Sequence, residues 1–339
     1  MSDMAVPRIL ITGGTGFVGA RVAEFLASDG PRADRPALRL LAHRSWPDAL
    51  AGRAEVRTGS LTDPASLRGV CDGVDTVLHL ASQVGGGPEE CRAVNDAGTG
   101  ALLAEAKHAG VRRIVQLGTT AVYRDGRHLG PGEGELEVGP TSATSVSRLA
   151  GEQRVLAAGG LVVRPHLVYG PGDVWVGPAL AEFLTVLPHW VDGGRALMSV
   201  IGVEDLARVL AALAVRASVP RGAVLHAGRP APVRARELIT ATARALDLPL
   251  PAGEVTYEQA RGWHGAQGDP GWHRRLSLLA MDHWYDTSRL WRLLGIAPGG
   301  SFAADFAAGA DWYRARLGAD PSVPVSGPTR TAARARSSA

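Results

Sequence analysis

Residues 8–19 read RILITGGTGFVG, an apolar run that stops at Thr12 and gives way to glycines at 13, 14, 16 and 19. A helical pattern follows over Phe17–Ser28, with Val18, Val22, Phe25 and Leu26 on one face and Asp29-Gly30-Pro31 at its end. Gly13 suits a tight backbone turn, and Gly16 lets the main chain approach a pyrophosphate because no Cβ stands in the way. Gly19 permits close packing of helix on strand, and the helix start offers free N–H groups and a positive dipole end to an anion. Glycines alone also suit an ordinary turn. The G-x-x-G-x-x-G spacing between a strand and a helix predicts a dinucleotide cradle, with Gly13, Thr15, Gly16, Phe17, Val18 and Gly19 at the cofactor.

Outward from that turn, short apolar runs at Leu38–Ala42, Glu55–Thr58, Thr76–Leu80, Arg113–Leu117 and Leu161–Arg164 alternate with helical stretches, notably Ala97–Ala109 and Ser147–Ala158. This alternation predicts an α/β fold: a Rossmann-type doubly wound parallel sheet with helices on both faces, plus a smaller C-terminal substrate-binding lobe. Beyond Gly170-Pro171-Gly172 the rhythm loosens. Helices are expected at Glu204–Ala217, Val233–Leu246, Thr287–Leu294 and Phe302–Leu317, a strand near Ala223–Ala227, and a long loop over Arg261–Trp272. Residues 1–170 are expected to form the nucleotide-binding domain, with 196–222 returning to it. Residues 171–195 and 223–318 then form the lobe, and 319–339, rich in Pro, Ser, Thr and Ala, read as a disordered tail.

With 339 residues, 45% of them hydrophobic, the chain can bury a sizeable core. No apolar run is long enough for a membrane span, and Met1–Pro7 lacks the layout of a signal peptide. Cys71 and Cys91, the only cysteines, exclude a disulfide framework or a Cys-based metal centre and fit a reducing cytoplasm. Of the net charge of +3, Arg330, Arg334 and Arg336 against Asp320 carry +2, so the body offers no basic stripe for nucleic acid. Lys107 is the only lysine among 36 basic residues.

An NAD site usually places Asp or Glu at the end of the second strand to bind the ribose 2′-hydroxyl. Here His43, Arg44 and Ser45 stand there, with no carboxylate before Asp48. A guanidinium binds a 2′-phosphate as a charge-assisted fork, so NADP(H) is the expected cofactor, although Arg44 can equally lie in solvent.

Further motifs follow in order. Gly59-Ser60-Leu61-Thr62-Asp63 lies after the third strand and His79-Leu80-Ala81-Ser82 at the fourth, and Val94-Asn95 leads to Gly98-Thr99. Arg164-Pro165 precedes Val168-Tyr169-Gly170-Pro171-Gly172-Asp173, followed by Val203-Glu204-Asp205-Leu206-Ala207 and by Tyr285-Asp286-Thr287-Ser288-Arg289 through Leu294-Gly295. Together they resemble the extended short-chain dehydrogenase/reductase family over roughly residues 6–318. The resemblance implies cofactor contacts at Ser60, Leu61, Leu80, Ala81, Ser82, Arg148, Arg164 and Pro165, with Ser60 where the family usually has an adenine-binding Asp. It implies substrate contacts at Gln83, Tyr123, His166, Trp175 and Trp190.

The departures carry the chemistry. Arg113–Tyr123 reads RIVQLGTTAVY, and Thr119, four residues before Tyr123, takes the place of the family's catalytic Ser. The family's P-x-x-x-Y-x-x-S-K frame reads PTSATSVSR over 140–148, so Thr144 replaces the tyrosine and Arg148 the lysine. Leu103 lies four residues before Lys107, so no Tyr-x-x-x-Lys exists elsewhere. Asn95 keeps the family's Asn position, but the lysine partner of its usual proton relay is missing.

Hydride delivery to a ketone creates an alkoxide that needs a proton donor or oxyanion stabilisation. A threonine hydroxyl is far less acidic than a phenol, and arginine stays charged. Three readings follow. The first is an NADPH-dependent ketoreductase whose proton comes from water, Tyr123, His166, Tyr169 or a phenol on the substrate, as in peri-hydroxy ketones of aromatic polyketides. The second is an NADP(H)-binding regulatory or partner-binding protein without redox chemistry. The third is a sugar-nucleotide epimerase or dehydratase, which needs a base at Thr144. The first is the expected function, and the missing tetrad resembles that of atypical ketoreductases in angucyclinone antibiotic pathways. The expected partner is thus a small-molecule substrate, a large aromatic polyketide, with the oligomeric state left open.

Seven of the eight tryptophans lie beyond residue 170. Trp175, Trp190, Trp263 and Trp272 can face a polycyclic ligand or pack in a core, whereas Trp291 and Trp312 read as helix-packing residues. His264, His273 and His283 with Asp269 and Asp282 match no ligand spacing, so no metal is expected. Gly265, Gly268 and Gly271 suit a flexible lid, and Gly85-Gly86-Gly87 a loop beside the substrate.

Overall fold

The computed structural model describes residues 6–28, 35–43, 50, 52–216, 218–263 and 271–318. Arg44, Ser45 and Asp48, the Asp29-Gly30-Pro31 helix end, His264 to Asp269 of the expected lid and the tail from 319 lie outside them. β1 (Arg8–Thr12) buries Ile9 and Ile11 in one apolar cluster and Leu10 in another, the period of two that a strand covered on both faces requires. The chain continues through α1 (Phe17–Ser28), β2 (Ala37–Ala42), β3 (Ala54–Thr58), β4 (Thr76–His79) and α2 (Pro88–Arg92). A π-helical turn over Ala93–Gly98 joins α2 to α3 (Thr99–His108), followed by β5 (Arg113–Leu117), β6 (His128–Leu129) and α4 (Ala143–Ala157). Next come β7 (Leu161–Pro165), β8 (Leu167–Tyr169), α5 (Val176–Val186), β9 (His189–Val191), β10 (Leu197–Met198), β11 (Val200–Gly202) and α6 (Val203–Val215). The C-terminal part holds β12 (Ala223–Ala227), β13 (Val233–Arg234), α7 (Ala235–Leu246), β14 (Gly253–Val255) and α8 (Tyr257–Arg261). It closes with α9 (Trp272–Ala280), β15 (His283–Trp284), α10 (Ser288–Leu294), α11 (Phe302–Ala308) and α12 (Ala310–Gly318).

Seven strands form one parallel sheet in the order β3-β2-β1-β4-β5-β7-β12, so the expected Rossmann-type α/β fold is present. Val22, Leu26, Leu206 and Leu210 of α1 and α6 cover one face, and Leu102 and Ala106 of α3 help cover the other. The order reverses between β1 and β4, which opens a crevice at the carboxyl ends of these strands, where ligands of such sheets bind. A separate apolar cluster built from α5, α7, α9, α11 and α12 forms the second core. No helix among the described residues is long and apolar enough to cross a membrane.

The structure corrects several expectations. Ala223–Ala227, placed by sequence in the lobe, is the outermost strand of the main sheet, in register with Leu161–Pro165. Leu290 and Leu294 of α10 also pack into the main core, so this part of the lobe returns to the nucleotide side. The helix starting at Ser147 begins four residues earlier, because the Ser142 hydroxyl caps it by accepting from the Ser145 N–H. The single helix expected over Phe302–Leu317 is broken at Gly309. Trp272 opens a helix rather than closing a loop.

Candidate active site

The glycine turn sits at the carboxyl end of β1, beside the crevice. Gly13 has φ +70°, and a Cβ there would lie 2.5 Å from the Ala81 nitrogen, so only glycine lets the turn nest on the chain leaving β4. A Cβ on Gly19 would fall 2.1 Å from the Gly13 carbonyl oxygen, which explains the third glycine as a helix-packing position. Gly16 donates its N–H to Gly13 O at 3.0 Å, and the only atom a Cβ would meet there is that same oxygen, at 3.3 Å. The space in front of Gly16 and Thr15 is therefore open, and both are exposed. That open cradle at a helix start fits the pyrophosphate of a dinucleotide, with Phe17 beside it packed against Gly172.

Around the cradle, Leu61 and Leu80 are buried, while His43 and Ser82 are exposed. Ser60 is turned into its own loop. Its hydroxyl pairs with Thr62 Oγ1 at 2.8 Å and its N–H donates to Ser66 Oγ at 2.9 Å.

Asn95, 4% exposed and held in the π-helical turn, spends its whole amide on structure. Its Nδ2 donates to Gln83 O at 2.9 Å and Ser147 Oγ at 3.0 Å, while its Oδ1 accepts from Gln83 N at 2.8 Å and Ser82 Oγ at 3.2 Å. It clamps the loop after β4 to α4. Thr144, in the first turn of α4, holds the same loop: its Oγ1 accepts the Gly85 N–H at 3.1 Å and lies 3.6 Å from Cys91 Sγ. The three glycines thus shape the loop, with Gly85 and Gly86 at positive φ and Gly87 capping α2.

Arg148 points its Nη2 at the end of β5, donating to Leu117 O at 3.0 Å and Gly118 O at 2.8 Å. Burial lowers its pKa and the Glu152 carboxylate counters, but the guanidinium stays charged. Thr119 accepts the Ala121 N–H at 3.1 Å, which leaves its O–H free to donate, and its own N–H goes to Glu152 Oε1 at 3.1 Å.

Arg164, expected at the cofactor, is engaged within the protein. It is 5% exposed, and its guanidinium grips the Glu152 carboxylate at 2.7–2.8 Å and lies 4.9 Å over the Tyr123 ring. Glu152 was missed in the sequence: its place on α4, one turn after Arg148, is the only signal that it faces inward. Pro165, next in the chain, is buried within β7.

Tyr123, expected at the substrate, is likewise engaged within the protein. It is 3% exposed, bonded through its hydroxyl to His226 Nε2 at 2.6 Å and stacked on Tyr285. Burial pushes its pKa up, with Arg164 pulling it down. Tyr169 is fully buried and donates to Asp305 Oδ2 at 2.9 Å. His166 pairs with Thr120 Oγ1 through Nδ1 at 3.0 Å and stacks on His283, and its Nε2 is enclosed by protein without a partner. Burial and the neighbouring His283 and His128 hold its pKa well below the usual imidazole value.

The tryptophans divide clearly. Trp272 is 3% exposed, stacked on Phe183 and bonded to Ala260 O, and Trp263 donates to Val186 O, so both belong to the second core. Trp190 carries the Arg236 guanidinium on its face at 4.0 Å, which takes that face from a ligand. Trp175 alone of the four remains open, 63% exposed at the start of α5 beside exposed Val174. No group of three metal-ligating side chains occurs among the described residues.

A parallel doubly wound sheet with a glycine cradle at its switch point is the arrangement of a dinucleotide-binding fold. Residues 9–228 match the model of the NAD dependent epimerase/dehydratase family, and the chain belongs to that family. It is 29% identical over 264 residues to a 4-hydroxy-2-methyl-3-oxo-4-farnesyl-3,4-dihydroquinoline-1-oxide ketoreductase of Stigmatella aurantiaca, covering 75% of this chain and 78% of that one. It is 30% identical to a 2-alkyl-3-oxoalkanoate reductase of Stenotrophomonas maltophilia, covering 86% of this chain and 94% of the other. Among solved structures, a UDP-glucuronic acid 4-epimerase from Bacillus cereus in complex with NAD superimposes with a TM-score of 0.70 at 19% identity, covering 91% and 99% of the two chains.

Proposed function

We propose that this chain is an atypical NADPH-dependent ketoreductase that reduces a carbonyl of a large aromatic, angucyclinone-like polyketide in antibiotic biosynthesis. One observation carries the reading: the glycine cradle is present while the usual acid position holds Thr144, whose hydroxyl is far less acidic than a phenol, and the nearby phenols are engaged elsewhere. Tyr123 faces His226 and Tyr169 faces Asp305. Reduced nicotinamide supplies the hydride when bound. Thr119 offers its free O–H to the carbonyl oxygen, and Arg148, held at the end of β5, lends positive potential as the alkoxide develops. A phenol beside the carbonyl, or water, then gives the proton. The exposed Trp175 and Val174 suit a flat apolar ligand, and the two reductase relatives act, by their names, on oxo compounds. The preference for NADP(H) rests on His43 and Arg44.

A sugar-nucleotide epimerase or dehydratase must first oxidise an unactivated alcohol, and the Thr144 hydroxyl is no base for that step. Incubation with NADPH and a panel of peri-hydroxy quinones and angucyclinones tests the proposal. Substrate-dependent loss of reduced-nicotinamide absorbance is expected. Its absence across the panel refutes the enzyme reading in favour of a binding module, and equal affinity for NADH and NADPH removes the His43/Arg44 argument.

A further inference from the structure

A single file of hydrogen bonds runs beneath the cradle. His79 ends β4, is 1% exposed, and bonds at both ring nitrogens: Nδ1 to Thr12 Oγ1 at 2.8 Å and Nε2 to Thr99 Oγ1 at 2.9 Å. The proton positions follow from the ends of the file. The Asn95 carbonyl can only accept, so Thr99 donates to it, at 2.7 Å, and must itself accept from His79 Nε2–H. Nδ1 is then bare and accepts from the Thr12 hydroxyl, whose oxygen takes the Ala81 N–H at 3.3 Å.

One end of the file is the residue before Gly13, and the other is the residue that clamps the Ser82–Gly85 loop. We propose that His79 is a positioning residue, an uncharged splint that transmits the seating of a nicotinamide dinucleotide at the glycine turn to Asn95 and thence to the loop at Gln83 and Gly85. The inference rests on the nicotinamide-nucleotide reading of the cradle. Burial, with Arg148 nearby, lowers the imidazole to about 4, so the splint keeps one proton and one orientation near neutral pH.

Two amide protons report on it, Gln83 N–H on Asn95 Oδ1 and Gly85 N–H on Thr144 Oγ1. Hydrogen exchange of these amides is followed in the full chain with and without saturating NADPH, in the wild type, Thr99→Val and Thr99→Ser. NADPH is expected to slow exchange about tenfold in the wild type, the equivalent of one buried hydrogen bond. The protection should vanish in Thr99→Val, which is nearly isosteric, and return in Thr99→Ser, while the NADPH Kd stays within about twofold in all three. His79→Phe cuts the file at its centre and should raise that Kd about tenfold as well. Protection in Thr99→Val equal to that in the wild type overturns the splint alone. Failure of the wild type to bind NADPH or NADH overturns the nucleotide reading and the splint with it.

Discussion

Acidification probes how the buried imidazoles hold this fold together. Burial lowers His79 and His226 to about 4, and it also lowers His128, His166 and His283. As pH falls through 6.5 the unfolded chain takes up a proton on each imidazole, whereas the folded chain refuses it until about pH 4 for the first two. Their stabilisation is therefore complete above pH 6.5 and is lost as pH falls toward 4. Each withheld proton costs ~1.4 kcal/mol per pH unit, or about 3 kcal/mol for His79 across the window and as much again for His226. Against a total stability of about 5–15 kcal/mol, two such groups bring the protein close to unfolding. Glu152 and Asp173, raised by burial, work in the opposite direction and make the slope shallower. Urea unfolding followed by tryptophan fluorescence at pH 7.5, 6.5, 5.5 and 4.5 measures the effect. His226→Asn, which cannot ionise, should flatten the slope by about one proton. A wild-type midpoint unchanged between pH 6.5 and 4.5 would show that these rings are not confined as neutral species.

Other outcomes follow from the same geometry. Thr144→Ala and Thr119→Ala should each leave appreciable turnover in the NADPH absorbance assay, and abolition by Thr144→Ala in a folded protein would restore a protein-borne acid to that position. Gly19→Ala places a methyl 2.1 Å from Gly13 O and should abolish nucleotide binding measured by calorimetry. Glu152→Ala strands the buried Arg164 guanidinium and should cost about 3–5 kcal/mol in urea unfolding. Tyr123→Phe should lower stability by about 1–3 kcal/mol, leaving His226 Nε2 unpaired, yet preserve turnover.

The sequence was most legible where local chemistry and topology coincide. The run RILIT, its glycines and Phe17–Ser28 form the strand, turn and helix that their pattern predicts, because a glycine turn with that spacing admits few other conformations. Strands of two or three residues such as β6, β10 and β15 were illegible, since a period of two needs more residues to appear. Ala223–Ala227 was visible as a strand but not as a member of the main sheet, because its pairing with β7 is a long-range contact. In the site, the family frame located Thr119, Thr144 and Arg148 but not their partners. Whether Arg164 meets a phosphate or a carboxylate depends on Glu152 turning inward, and a helical position alone does not reveal that. The packing of Tyr123 and Trp190 was hidden for the same reason: an aromatic side chain reads identically whether its face is open or already covered by a cation or a ring.

The π-helical turn over Ala93–Gly98 has a consequence for how this segment tolerates change in length. Such a turn holds one more residue than the α-helix around it, and one residue is worth about 100° of rotation. Deleting a residue there would regularise the spiral, yet it would swing Asn95 out of phase with either Cys91 upstream or Thr99 downstream. The irregular segment is thus a phase shifter. It lets two helices that must each face their own neighbours also present one amide between them, and a smoother helix would forfeit that alignment.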